Sequence, residues 1–256
     1  MPVTDPLMLS IDPLMLLIIS LTFMLAGMVK GVTGMGLPTV TLAILTVVSD
    51  LPTAMALLLI PSFCTNLWQA CRGGEMGNIV RRCRAFLLPA TLLIPLGGVS
   101  LSFIDTSYLS LLLGVVLISY AVISLFGLTL VIGGERRGWA GPLCGAVNGI
   151  LTGMTGSFVV PGVIYLQGIG LNRTQLIQAM GMLFTLSTLA LGISLSGNAL
   201  LSEQQMMLSA WGLVPAIAGM LIGQRIRNRL SESLFRSVFF TSLLLLGGYI
   251  LVSALI

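Results

Sequence analysis

Apolar residues gather along the chain in stretches at 14–33, 38–49, 53–71, 85–104, 107–132, 140–156, 158–171, 175–196, 205–224 and 233–256. A helix needs roughly 20 consecutive apolar residues to cross a bilayer; most of these stretches come near that length, while 38–49 and 158–171 fall clearly short. The pattern predicts an all-α polytopic membrane protein with about eight to ten membrane segments. Each short stretch follows a break rich in glycine and threonine. The first break is Lys30-Gly31-Val32-Thr33-Gly34-Met35-Gly36-Leu37-Pro38, and the second is Asn148-Gly149-Ile150-Leu151-Thr152-Gly153-Met154-Thr155-Gly156.

The two breaks belong to a longer repeat. Gly27, Val29, Lys30 and Gly31 align with Gly145, Val147, Asn148 and Gly149, and after a one-residue shift Thr33-Gly34-Met35 aligns with Thr152-Gly153-Met154. Further on, Pro89-Ala90 and Leu96-Gly97 fall opposite Pro215-Ala216 and Ile222-Gly223. Order and even spacing predict a duplication, with repeats at 14–132 and 139–256 in one integral membrane domain.

Charge decides how the halves are related. A parallel repeat would put Arg225, Arg227, Arg229 and Arg236 on the side opposite the loop with Arg72, Arg81, Arg82 and Arg84. Inversion brings all of these, with Arg136, Arg137 and Arg173, to one side and leaves Asp5, Asp12, Asp50, Asp105 and Glu203 on the other. Two inverted repeats are therefore expected, with the arginines cytoplasmic and both termini external. Each half would hold a Gly-rich broken helix or a re-entrant hairpin beside long transmembrane helices. Five crossings per half and three crossings with a hairpin have the same parity, so both stay open.

Composition narrows the function. Of 256 residues 56% are hydrophobic and 8% charged, and the mean hydropathy of +1.07 leaves no room for a soluble domain. The residues before Pro13 carry no Lys or Arg, so the first stretch reads as a retained helix rather than a cleaved leader. The net charge of +4 lies in short loops, a positive-inside pattern and not a nucleic-acid patch. With no histidine, and with Cys64, Cys71, Cys83 and Cys144 lacking CxxC spacing, no metal or other cofactor is expected; the cysteines read as small apolar residues at helix contacts. All eight acidic residues fall in loops or at helix ends, so no intramembrane carboxylate pair is expected to relay protons.

The breaks are the candidate site. Gly27-x-x-x-Gly31 and Gly145-x-x-x-Gly149 fit close helix contact, whereas Gly34, Gly36, Gly153 and Gly156, with Pro38 and Pro161 beyond them, read as interruptions at membrane depth. An interrupted helix offers backbone N–H groups and a positive dipole end to an anion. Thr33, Thr152, Thr155 and Ser157 would add hydroxyl donors. Lys30, the only lysine, either snorkels to the cytoplasmic interface or supplies charge to the site, with Asn148 at the matching place in the second half. Arg225, Arg227 and Arg229 read as topology anchors, and Trp68, Trp139 and Trp211 as interfacial residues.

At Gly27-x-x-x-Gly31-x-x-Gly34-Met35-Gly36, and again at Gly145-x-x-x-Gly149-x-x-x-Gly153-x-x-Gly156 with Pro161, the sequence resembles the TauE/SafE family of sulfite exporters and sulfonate permeases. The usual family pattern carries consecutive glycines where this chain has Met35-Gly36-Leu37 and Thr155-Gly156-Ser157. The resemblance implies transport of sulfite, organosulfonates or related small anions across a bacterial plasma membrane. Another small anion such as a carboxylate is the alternative cargo. A membrane-embedded enzyme or assembly factor is disfavoured, because only Lys30 and the cysteines could serve chemistry. The expected partners are the anion and the bilayer, with a homo-oligomer allowed and no nucleic acid.

Overall fold

The computed structural model describes residues 12–127, 131–133, 137–227 and 231–255. Asp5, Arg136 and Arg229, invoked above for topology, lie outside them. The elements are all helical: α1 (Pro13–Thr33), α2 (Leu37–Val48), α3 (Leu51–Leu57), α4 (Leu59–Cys71), α5 (Met76–Leu92), α6 (Ile94–Gly98), a 3₁₀ turn (Val99–Ser102), α7 (Thr106–Leu125), α8 (Arg137–Thr155), α9 (Gly162–Gly168), α10 (Arg173–Gly197), α11 (Glu203–Ile226) and α12 (Glu232–Ser253).

Among the described residues, six helical spans are long and apolar enough to cross a membrane: α1, Met76–Ser102, α7, α10, α11 and α12. The chain is a multi-pass membrane protein. Helices α3 and α4, bent by 45° at their junction, are together long and apolar enough for a broken span or a re-entrant loop. The bend has an identifiable cause. Pro61 has no N–H to offer the Leu57 carbonyl. Ser209 of α11 fills the gap, its hydroxyl donating to Leu57 O at 2.8 Å and accepting from Ile60 N–H at 3.0 Å. At 1.5 Å per residue, the 12 residues of α2 reach about 18 Å, short of a bilayer core of roughly 30 Å, and α9 is shorter still.

Side chains cap the helix starts. Asp12, Asp50 and Asp105 accept from backbone N–H groups of α1, α3 and α7. The Ser107 backbone and side chain hold the Asp105 carboxyl below the usual carboxylate range. Asn172 and Ser202 form capping boxes with Gln175 and Gln205. One expectation needs correcting: Arg81, Arg82 and Arg84 lie inside α5 and not in a loop. Arginine is a good helix former, so the helix runs on past the apolar stretch and carries these exposed residues beyond it.

Two parallel helix pairs organise the interior. Along α1 and α11, a Cβ on Gly27 would meet Ala216 O, one on Gly31 would meet Met220 O, and one on Gly223 would meet Met28 O. Along α8 and α5–α6, a Cβ on Gly149 would meet Pro89 O and Ala90 O, one on Gly153 Ile94 O, and one on Gly97 Ile150 O. The second set reproduces the first residue for residue. These contacts pair Gly27 with Gly149 and Gly31 with Gly153, one helical turn away from the sequence alignment, while Ala90 with Ala216 and Gly97 with Gly223 stand as aligned. Gly-x-x-x-Gly spacing recurs every turn of α8, so letter matching admits two registers and only the contacts choose between them.

One end of the bundle collects the arginines. Arg82 bonds the carbonyls of Ile169 and Gly170 beside α10's start, and Arg236 bonds Ser124 O at the end of α7. At the other end Gln205 reaches Thr53 beside Asp50, and Ser102 reaches Asn198. Helix α1 runs from the acidic end toward the arginine end and its equivalent α8 runs the other way, an arrangement consistent with inverted halves. Buried Phe23, Phe86, Phe158 and Phe184 fill the core, while Leu14, Leu17, Leu92, Ile193 and Val214 are exposed on a face that suits lipid.

Candidate functional site

Each break closes its own helix. Gly34 takes φ 81° and its N–H bonds Lys30 O at 2.7 Å; Gly156 takes φ 71° and its N–H bonds Thr152 O at 2.7 Å. A left-handed residue after the last turn is the ordinary glycine cap. The preceding threonine makes two matching contacts in both places, while Thr33 Oγ1 also lies 2.6 Å from Met35 O, where the second break meets Ser157 O with Thr152. Thr33 Oγ1 lies 2.9 Å from Val29 O and accepts Met35 N–H at 3.2 Å; Thr155 Oγ1 lies 2.7 Å from Leu151 O and accepts Ser157 N–H at 3.2 Å. Thr33-Gly34 therefore corresponds to Thr155-Gly156, and Lys30 falls opposite Thr152, not Asn148. Gly153, expected at the break, lies inside α8 one turn earlier, pressed against α6.

Few of the expected donors remain free. Thr152 Oγ1 donates to Ser157 O at 2.9 Å, and Gly162 N–H is taken by Asn148 Oδ1 at 2.9 Å. Among the described residues, two buried groups beside the second break have no partner: Asn148 Nδ2 and Ser157 Oγ. A buried polar group without a hydrogen bond costs about 1–3 kcal/mol, so such groups call for an explanation.

Lys30 does not snorkel. It is 3% exposed and its ammonium donates to Asn66 Oδ1 on α4. From there a chain of donors continues inward: Asn66 Nδ2 to Ser62 Oγ at 2.9 Å, Ser62 to Thr188 Oγ1 at 3.1 Å, and Thr188 to Phe184 O at 2.7 Å. Because Thr188 gives its proton to Phe184 O, Ser62 donates to Thr188, and the chain keeps one sense from α1 through α4 to α10. An ammonium has three donors, and among the described residues Lys30 has no carboxylate partner. Asn66, Ser62 and Thr188 were missed in the sequence. The polar spacing Ser62, Asn66, Gln69 along one face of an apolar stretch was the available signal.

A cavity of about 750 Å³ opens at the arginine end. Thr33 and Met35 of the first break form part of its wall, with Gln167 in the last turn of α9, Arg173 at α10's start, Gln224 and Arg227 at α11's end, and Arg236 on α12. Tyr120 also borders it and donates to Met35 Sδ at 3.0 Å, which anchors the break to α7. Of the expected site residues only Thr33 lines this cavity. The second break lies apart: a Cβ on Gly156 would sit 2.7 Å from Met55 Cγ and 3.2 Å from Leu42 Cδ2.

Searches of curated proteins and of solved structures match nothing. The family model described as sulfite exporter TauE/SafE matches residues 19–250, which takes in both breaks, the paired glycine contacts and the arginine-end cavity, and the chain belongs to that transporter family.

Proposed function

We propose that the protein is a secondary transporter carrying a small sulfur-containing anion, sulfite, an organosulfonate or a relative, across a bacterial plasma membrane, with the anion held between the two breaks. The observation that carries this reading is Lys30, a buried ammonium whose partner is an amide and not a carboxylate. A charge at membrane depth costs roughly 2.5–3.5 kcal/mol on insertion scales, and an anion beside it would offset that. Asn148 Nδ2 and Ser157 Oγ are, among the described residues, buried donors left over beside the second break. Thr33, Thr152 and Thr155 shape the caps, Gly34, Gly36 and Gly156 supply the left-handed turns, and Gly153 lets α8 approach α6. Sulfur enters this reading through the family; the donors themselves would suit any small oxyanion, carboxylates included.

The test is uptake of labelled sulfite, an alkylsulfonate and a dicarboxylate into proteoliposomes, with and without an imposed pH gradient. Sulfite or the sulfonate should enter faster than the carboxylate, and Lys30→Gln should weaken apparent affinity about 5- to 150-fold, the factor equivalent to 1–3 kcal/mol for a charged hydrogen bond. Uptake no faster than into empty liposomes for every sulfur anion overturns the function. Wild-type affinity in Lys30→Gln removes the lysine from the site.

A further inference from the structure

We infer that the arginine-end cavity is itself an oxyanion-binding vestibule, in which Arg173, Arg227 and Arg236 gather the anion before it reaches the first break; this rests on the transport reading for the direction of movement, not for binding. The three arginines come from three different helices, α10, α11 and α12, and border one cavity with the amides of Gln167 and Gln224. No acidic side chain is among the described residues of its wall. Three guanidinium groups around one space repel one another, and a concave, one-signed surface raises the local concentration of counter-ions. Anchoring topology requires only that arginines lie on one face of the membrane. It does not require that they converge on a cavity.

The chemistry selects the ligand. Guanidinium forks match two oxygens of one anion at once, so sulfite, sulfate and sulfonates fit, and dianions should bind better than monoanions. Arg236 keeps this capacity while bonding Ser124 O, since that bond uses one of its five N–H donors. At about 750 Å³ the cavity far exceeds a sulfite ion, so it suits a partly hydrated anion held by charge. Thr33, one turn beyond Lys30 on the same helix, lines the same cavity as the arginines, so an anion held there has the first break within the same space. The same groups could instead hold the phosphate of an anionic lipid, which shares this chemistry.

The experiment uses reconstituted full-length protein of one orientation, with sulfite supplied to one face at a time. In Arg173→Gln/Arg227→Gln the KM from the arginine face should rise about tenfold, while the KM from the opposite face should rise far less. Arg227→Lys, which keeps the charge but loses the fork, should fall between. Added salt should raise the wild-type KM more than that of the double variant. An equal change on both faces, or none, overturns the inference. So does a wild-type-to-variant difference that appears only when anionic lipid replaces a purely zwitterionic bilayer, because the arginines then serve headgroups. Should wild-type protein carry no sulfur anion, inorganic sulfate at low ionic strength still decides the matter. Thermal stabilisation by sulfate in wild type that is lost in the double variant supports the vestibule, and equal stabilisation of both overturns it.

Discussion

Thr33-Gly34-Met35 and Thr155-Gly156-Ser157 end their helices with three matching hydrogen-bond contacts at nearly the same lengths, yet the first borders an open cavity while the second is covered by Leu42 and Met55. The cap scheme is local and survives duplication. What surrounds each cap is decided by other helices, and there the likeness ends. Of two elements with matching caps, one is reachable from the arginine end and the other is covered.

The largest effect expected from breaking this comparison is at the glycine contacts that set the two halves side by side. In Gly153→Val the new side chain meets Ile94 O and the Gly98 N–H, and in Gly31→Val it meets Met220 O and Gln224 N–H. Backbone cannot yield as a side chain does, so overpacking here should cost at least the usual ~1–3 kcal/mol. Both variants should lose most of their membrane abundance, and to similar extents. Normal abundance in one and not the other would show that the two contacts are not equivalent.

A middle-sized effect should separate the caps. Alanine at φ near 70–80° costs roughly 1–2 kcal/mol, which Gly34→Ala and Gly156→Ala share. At Gly34 the nearest neighbour of the new methyl would be Ile177 at 3.8 Å, whereas at Gly156 the methyl crowds Met55 and Leu42. Thermal unfolding of the purified variants should therefore show the larger drop in Tm for Gly156→Ala. Equal drops would mean that the second break is as open as the first.

The smallest perturbation tests access directly. On a background with the four native cysteines replaced, Gln167→Cys should react with a membrane-impermeant maleimide from the arginine side only, and Ser157→Cys, which is 1% exposed, should react far more slowly from either side. Comparable labelling rates at the two positions would contradict the one-sided opening described here.

Much of this architecture can be read from the sequence. Apolar stretches locate the spans because lipid tolerates little else, and one-sided arginines give the two ends of the bundle. The register of the repeat cannot be read that way. Thr152-Gly153-Met154 matches Thr33-Gly34-Met35 letter for letter, but a helix ends where a threonine hydroxyl and a left-handed glycine can satisfy its last groups, and that happens at Thr155-Gly156. Arg173, Arg227 and Arg236 are similarly indistinguishable in sequence from arginines that only face water. Which of them share a cavity depends on the relative angles of three consecutive helices, and those angles are set by packing rather than by the local sequence. Lys30 was legible as unusual, though not its partner, because Asn66 is one polar residue among several on α4.

The Ser209 hydroxyl that completes the bend between α3 and α4 belongs to a helix nearly 150 positions further along the chain. A kink repaired by its own side chains could flex independently of everything around it. Here straightening the span would strand Leu57 O, and shifting α11 along its axis would do the same. Bend angle and helix position are thus one coordinate with two readouts, and any motion of the bundle that changes one must carry the other with it.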